Sequence, residues 1–217
     1  GANRVSALRA LHAPHVVAQI VSYEKPGVEL DTWYHVVSGL SKQEFLDAIA
    51  HVGGLQLIES DLREAREALA IGDACAYIVC ADGIYQVRNG SESSQSDIHL
   101  LNKLVATYKG KADIFRASND DYDLQAPYYP HMVALVIFPR YRPADIIRLV
   151  RAGEKVPSGI TRHIISERAL RINVPLDLLI SNEPLATKQG RLQAWWQERM
   201  AANAIRFYSE STFLFDE

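Results

Sequence analysis

Apolar and polar residues along this chain fall into short blocks whose period changes repeatedly, the signature of mixed helices and strands. Val5, Ala7, Leu8 and Leu11 recur at helical spacing after Gly1-Ala2-Asn3-Arg4 and predict a short helix ending near Pro14. His15 to Tyr23 reads as a buried strand, and the aromatic, β-branched run from Thr32 to Val37 as another. Ser41 followed three residues later by Glu44 is a capping-box signal for a helix through about Ala50, stopped by Gly53-Gly54. A second helix is expected from Ser60 to Leu69, with Arg and Glu on its outer face. Ala74 to Cys80 and Ile84 to Arg88 flank Ala81-Asp82-Gly83 as a hairpin.

Ser91 to Ser96 reads as a polar loop, Asp97 to Tyr108 as an amphipathic helix, and Asp120 to Asp123 as an acidic loop before Pro127. His131 to Phe138 is the most hydrophobic stretch and the expected central strand, followed by a helix that Pro143 starts and Arg151 ends. A Pro157-Ser158-Gly159 turn, strands at 160–165 and 169–174, a helical turn after Pro175, a helix around Gln189 to Asn203 and a last C-terminal strand complete the pattern. Short strands mixed with helices predict an α+β protein of at least two lobes.

Composition narrows the function. At 217 residues, 48% hydrophobic and 23% charged, the chain can bury a core, which excludes disordered and fibrous classes. A net charge of −3 gives no global attraction to nucleic acid or to an anionic membrane. Two cysteines, Cys75 and Cys80, flank an apolar run and suggest a reducing compartment, so a cytoplasmic location is expected. The longest uncharged apolar run, Met132 to Pro139, is too short to span a bilayer.

Walker A, Gly-x-Ser-x-Gly, His-Glu-x-x-His and protein-kinase catalytic-loop signatures are absent. Seven histidines lie without metal-ligand spacing, and no structural metal is expected. Three features carry chemistry. Gly1-x-x-Arg4 opens a helix: glycine allows close backbone approach, the helix start offers free N–H groups, and Arg4 adds a forked charge, which together suit a phosphate. Between Arg140 and Arg171 eight basic residues face three acidic ones, against the acidic trend of the chain. On the third, Ile160 to His163, period two puts Thr161 and His163 on one strand face with Arg162 on the other, and likewise pairs Trp33 with His35. A hydroxyl, two imidazoles and an indole so arranged could line a small polar pocket.

Gly1-Ala2-Asn3-Arg4 resembles the Gly-x-x-Arg box of the ParB/sulfiredoxin fold. Together with Asp31-Thr32-Trp33-Tyr34-His35 and the run from Gly153 to His163, continuing to Asn173-Val174-Pro175-Leu176, the chain resembles the free L-serine kinases built on that fold, especially the branch associated with siderophore-precursor synthesis. The resemblance implies that 1–38 form the C-terminal part of a ParB/sulfiredoxin-like nucleotide-binding lobe, and that 39–217 form a larger mixed lobe completing the cleft. It implies transfer of a phosphoryl group from ATP or ADP, with Mg²⁺, to the hydroxyl of free L-serine. Gly1, Ala2, Asn3 and Arg4 would then hold the nucleotide, and Trp33, His35, Thr161, Arg162 and His163 the serine.

The same resemblance places the family's catalytic glutamate, and the acidic residue before the Gly-x-x-Arg box, in an N-terminal segment ahead of Gly1. No catalytic base is therefore assigned within the chain. Glu24, Glu29 and Asp31 are the nearby acids, and a solvated turn is their expected setting. If 1–217 were complete, weak nucleotide binding without turnover would be expected. The competing readings are a ParB-like DNA-associated regulator, drawing on the Arg140 to Arg171 block, and a slow nucleotide switch. Trp195 and Trp196 are expected in a core, and a homodimer is compatible with the pattern.

Overall fold

The computed structural model describes residues 2–23, 27–90 and 97–207. It contains, in chain order, α1 (Ala2–Ala10), β1 (Val28–Thr32), β2 (Tyr34–Ser38), α2 (Lys42–Ala50), β3 (Leu55–Ser60), α3 (Leu62–Ile71), β4 (Ala76–Cys80) and β5 (Gly83–Asn89). These are followed by α4 (Asp97–Tyr108), β6 (Asp113–Ala117), α5 (Tyr122–Gln125), β7 (Met132–Ile137), α6 (Pro143–Arg151), β8 (Thr161–Ile165), α7 (Leu176–Ile180) and α8 (Leu185–Ala201). The architecture is α+β, as the pattern predicts.

Contacts group the chain into two units, Val21–Glu167 and a second made of Gly1–Ile20 with Arg168–Glu217. This differs from a division at residue 38: β2 is an interior strand of the sheet in the first unit, so a boundary behind it would cut through that sheet.

In the Val21–Glu167 unit six strands form an antiparallel sheet in the order β3-β5-β4-β7-β2-β6. Every residue of β2 and β4 is buried, and β4 accordingly reads as a continuous apolar run rather than an alternating one. On one face Val37, Ile78 and Val136 pack with Phe45 and Ile49 of α2 and Leu100, Leu101, Leu104 and Tyr108 of α4. On the other, Val36, Tyr77, Val79 and Leu135 pack with Ala65 of α3 and the half-buried Tyr122 of α5. A separate two-stranded ribbon pairs β1 with β8.

Local chemistry sets the helix ends. Ser41 accepts from the Glu44 amide at 3.2 Å, while the Glu44 carboxylate accepts from the Ser41 amide at 2.8 Å, the reciprocal box expected from sequence. The next helix starts later than Ser60, because Asp61 is its cap and accepts from the Glu64 amide. Gly72 ends it in the left-handed region (φ +85°), where a side chain would be strained.

Several expectations change. Residues 15–23 form no strand, and Val16, Ile20 and Val21 are exposed; no strand edge among the described residues pairs with them. Residues 169–174 form none either, since Arg171 and Asn173 both adopt φ of 50°, which breaks an extended run. Residues 120–123 are not wholly a loop, as Asp121 caps α5. Two strands that the pattern does not mark, β3 and β6, form the sheet's edges. The polar loop 91–96 and a C-terminal strand beyond residue 207 lie outside the described residues.

In the second unit α1 exposes Val5 and Ala7 and half-buries Leu8, so its apolar stripe exists without being covered there. Trp195 is half-buried beside Arg199, but Trp196 is 45% exposed, against the expectation of a core position. Among the described residues no helix is long and apolar enough to cross a membrane. Cys75 and Cys80 are free, buried thiols.

Candidate active site

The ribbon of β1 and β8 organises the strongest cluster of chemistry. Its register sets Thr32 opposite Thr161, Asp31 opposite Arg162 and Leu30 opposite His163. Strand parity therefore holds as expected for β8, with Thr161 and His163 on one face and Arg162 on the other. The ribbon is locked at its end where the Trp33 amide donates to the Ile160 carbonyl at 2.7 Å.

Arg162 is the best-held cation of this ribbon. Its guanidinium lies 4.4 Å from the centre of the Trp33 ring, and Nη1 donates to Asp31 Oδ2 at 3.4 Å. Asp31 is itself fixed, because Oδ1 accepts from the Thr32 amide at 2.8 Å, and Arg140 Nε approaches the same oxygen at 4.0 Å. Asp31 is thus an ion-pair partner rather than the solvated turn residue the sequence suggests. On the opposite face the Tyr23 hydroxyl lies 2.5 Å from His163 Nε2, which fixes that imidazole, and burial pushes the Tyr23 hydroxyl pKa up. Thr161 is half-buried beside Thr32, whose hydroxyl donates to the Pro139 carbonyl.

His35 has a different setting from the one parity suggests. β1 ends at Thr32 and β2 begins at Tyr34, so Trp33 is the joint between two strands and shares no strand with His35. His35 points into the sheet's α4-covered face, 3% exposed, with Nδ1 2.9 Å from the Tyr108 hydroxyl and its ring edge-on to Phe138. Burial, then the charges of Arg116 and Lys109, lower its pKa from 6.5 to about 4, so it is neutral at ordinary pH.

The basic block is less of a block in three dimensions. Arg142 and Arg148 both engage Asp145, while Arg140 and Arg162 share Asp31. Paired this way, these arginines do not present one uncompensated basic stripe of the kind a phosphate backbone needs.

In the second unit Asn3 and Arg4 occupy the first turn of α1, both exposed, and that turn holds no acidic residue. Arg4 has no carboxylate partner among the described residues. Gly1 lies outside the described residues, as does the side chain of Ala2.

A cleft that sequence reading misses lies on the other sheet face, about 610 Å³ in volume, with Tyr34, Arg66, Tyr77, Asp120 and Arg140 in its lining. Arg66 forks onto Asp120 at 2.7 and 2.9 Å, and the Tyr77 hydroxyl donates to the same carboxylate. Arg66 and Tyr77 together hold the Asp120 pKa below the usual carboxylate range. The acidic run around Asp120 was the one available sign of it, and its partners lie more than 40 residues away in sequence.

This arrangement defines a fold found in solved free serine kinases. A free serine kinase in complex with AMP superposes with a TM-score of 0.62 at 20% identity, over 76% of this chain and 66% of that one. A conserved hypothetical protein from Pyrococcus furiosus gives 0.67 at 20% identity, over 82% and 74%.

One relative seen in both sequence and structure is SbnI. The ATP-dependent L-serine kinase SbnI of Staphylococcus aureus is 26% identical over 145 residues, 64% of this chain and 52% of that protein. A C-terminally truncated SbnI structure gives a TM-score of 0.65 at 22% identity, over 93% and 75%. The chain spans about half the length of the curated relative it matches. No protein-family model matches the chain.

Proposed function

We propose that this chain is the nucleotide- and acceptor-binding part of a free L-serine kinase, which transfers a phosphoryl group from ATP or ADP to the hydroxyl of free L-serine. The observation that carries the reading is the Asp31–Arg162–Trp33 clamp on one face of the β1–β8 ribbon, in a fold shared with the AMP-bound free serine kinase. Phosphoryl transfer relies chiefly on positioning and charge, so a fixed guanidinium and an oriented imidazole suit the acceptor side. Arg162, held by Asp31, would meet the carboxylate of the amino acid; Thr161 and His163, on the opposite face of the ribbon, stay on the serine side by the resemblance and are not partners in the same clamp. His35, assigned to the serine side by the resemblance, is buried against Tyr108 and Phe138.

Asn3 and Arg4, exposed on an acid-free first turn, fit a nucleotide phosphate, with Gly1 and Ala2 allowing close backbone approach. The nucleotide supplies the phosphoryl group. Mg²⁺ would travel with the phosphates, since among the described residues no three His, Cys, Asp or Glu side chains converge to hold a metal. No catalytic base is assigned among the residues of this chain. Supply of O-phosphoserine to siderophore precursors, a cytoplasmic location and a homodimer complete the reading.

The test is an assay of the full-length protein and of residues 1–217 side by side, with Mg²⁺, L-serine and either ATP or ADP, and O-phosphoserine read by mass spectrometry. Product from the full-length protein identifies the donor. Nucleotide binding with no product from either would overturn the kinase reading.

A further inference from the structure

We propose that Lys109, Arg116 and the Ser158-Gly159 turn form an oxyanion subsite, which takes the carboxylate or phosphoryl group of a small ligand. It rests on the kinase reading only for the choice of amino-acid probes, because the charge arrangement itself lies within the Val21–Glu167 unit.

Lys109 follows the last turn of α4, with its amide bonded to the Val105 carbonyl, and its ammonium donates to Ser158 Oγ at 2.9 Å. A hydroxyl that accepts from an ammonium keeps its own proton to donate elsewhere. Arg116 comes from the sheet edge, directly opposite His35 in the β2–β6 ladder. A Cβ added at Gly159 would stand 3.3 Å from Arg116 Nη2, 3.6 Å from its Nε and 3.7 Å from His35 Nε2. The missing side chain is therefore what lets the guanidinium edge and the turn come together, and Gly159 can hold the turn's φ of +93° without strain.

Two cations converge on one turn, and neither has a carboxylate partner among the described residues. Arg66, Arg162 and Arg191 are each paired with one or two acids. Like charges brought together at an exposed polar turn repel, and an anion seated between them removes that cost. The neighbouring imidazole adds no third charge, since His35 is held neutral by burial and by these same two cations. Three donor groups of different kinds, an ammonium, a guanidinium and a hydroxyl, suit a compact oxyanion with several acceptor atoms.

The experiment titrates inorganic phosphate, L-serine and O-phospho-L-serine separately into the full-length protein, by calorimetry at low and moderate salt. Wild type is compared with Lys109→Ala, Arg116→Gln and the control Lys103→Ala, whose ammonium donates to the Gly53 carbonyl at 3.2 Å. Lys109 and Arg116 are exposed, and circular dichroism checks that each variant is folded. The expected result is salt-sensitive binding weakened about 10-fold or more by either subsite change and not by the control. Loss of L-serine and O-phospho-L-serine with phosphate unchanged identifies the carboxylate as the bound group. Loss of phosphate and O-phospho-L-serine with L-serine unchanged identifies the phosphoryl group. No binding of any probe by wild type, or equal binding by wild type and both variants, overturns the subsite whatever the turnover assay shows.

Discussion

Replacing His35 with Asn should change how stability depends on pH, by an amount the structure sets. The ring is 3% exposed, and burial together with Arg116 and Lys109 brings its pKa from the ordinary 6.5 to about 4. Between those values the unfolded chain binds a proton that the folded chain refuses, so folding is opposed increasingly as the pH falls. The stability associated with the neutral ring is complete above about pH 6.5, declines towards pH 4, and changes no further below it. At about 1.36 kcal/mol for each pH unit, the gap amounts to about 3 kcal/mol, a large share of the roughly 5–15 kcal/mol that domains possess. Asn keeps an amide within reach of the Tyr108 hydroxyl and carries no titrating group. Its lost ring volume costs stability at every pH and so shifts the curve without tilting it. Urea unfolding of both proteins from pH 7.5 to pH 4 should show the wild type losing about 3 kcal/mol more than the variant. Parallel curves, or a His35 proton resonance titrating near the ordinary value, would refute the electrostatic account.

Other expectations address the clamp, a cap and the turn. Arg162→Lys retains charge but loses both the Nη1 hydrogen bond to Asp31 and the flat stacking on Trp33, so the serine KM should rise roughly 10-fold while the thermal midpoint moves little; steady-state kinetics with a melting curve would separate these. Ser41→Ala removes one half of a capping box on the helix that carries Phe45 and Ile49 into the core, and denaturant titration should show a loss of about 1 kcal/mol. Gly159→Ala forces a side chain into a left-handed turn and against Arg116, so a loss of about 1–2 kcal/mol is expected, with a lowered melting midpoint as the readout.

Elements with strong local signals are legible in the residues themselves. The Ser41/Glu44 pair, Pro143 at a helix start and the continuous apolar run of β7 each act within a few residues, and each forms the element it predicts. The alternation of β8 likewise puts Thr161 and His163 on one side without reference to anything else. The strand expected at 15–23 shows the limit of such reasoning, because an apolar run becomes a strand only if another edge satisfies its amides and carbonyls. β6 shows the converse: its sequence is half polar, and it is a strand because β2 offers it an edge.

The site divides in the same way. Residue types and spacing determined that Arg162 would face away from Thr161 and His163, since backbone period is a local property. What Arg162 faces, and what becomes of His35, only the tertiary structure decided. Asp31 is 131 residues from Arg162, and Tyr108 is 73 from His35. No local rule reaches across such separations: the partners meet through the pairing of β1 with β8 and the packing of α4 on the sheet. Charge states follow those meetings, which is why the His35 imidazole is neutral and buried in the fold.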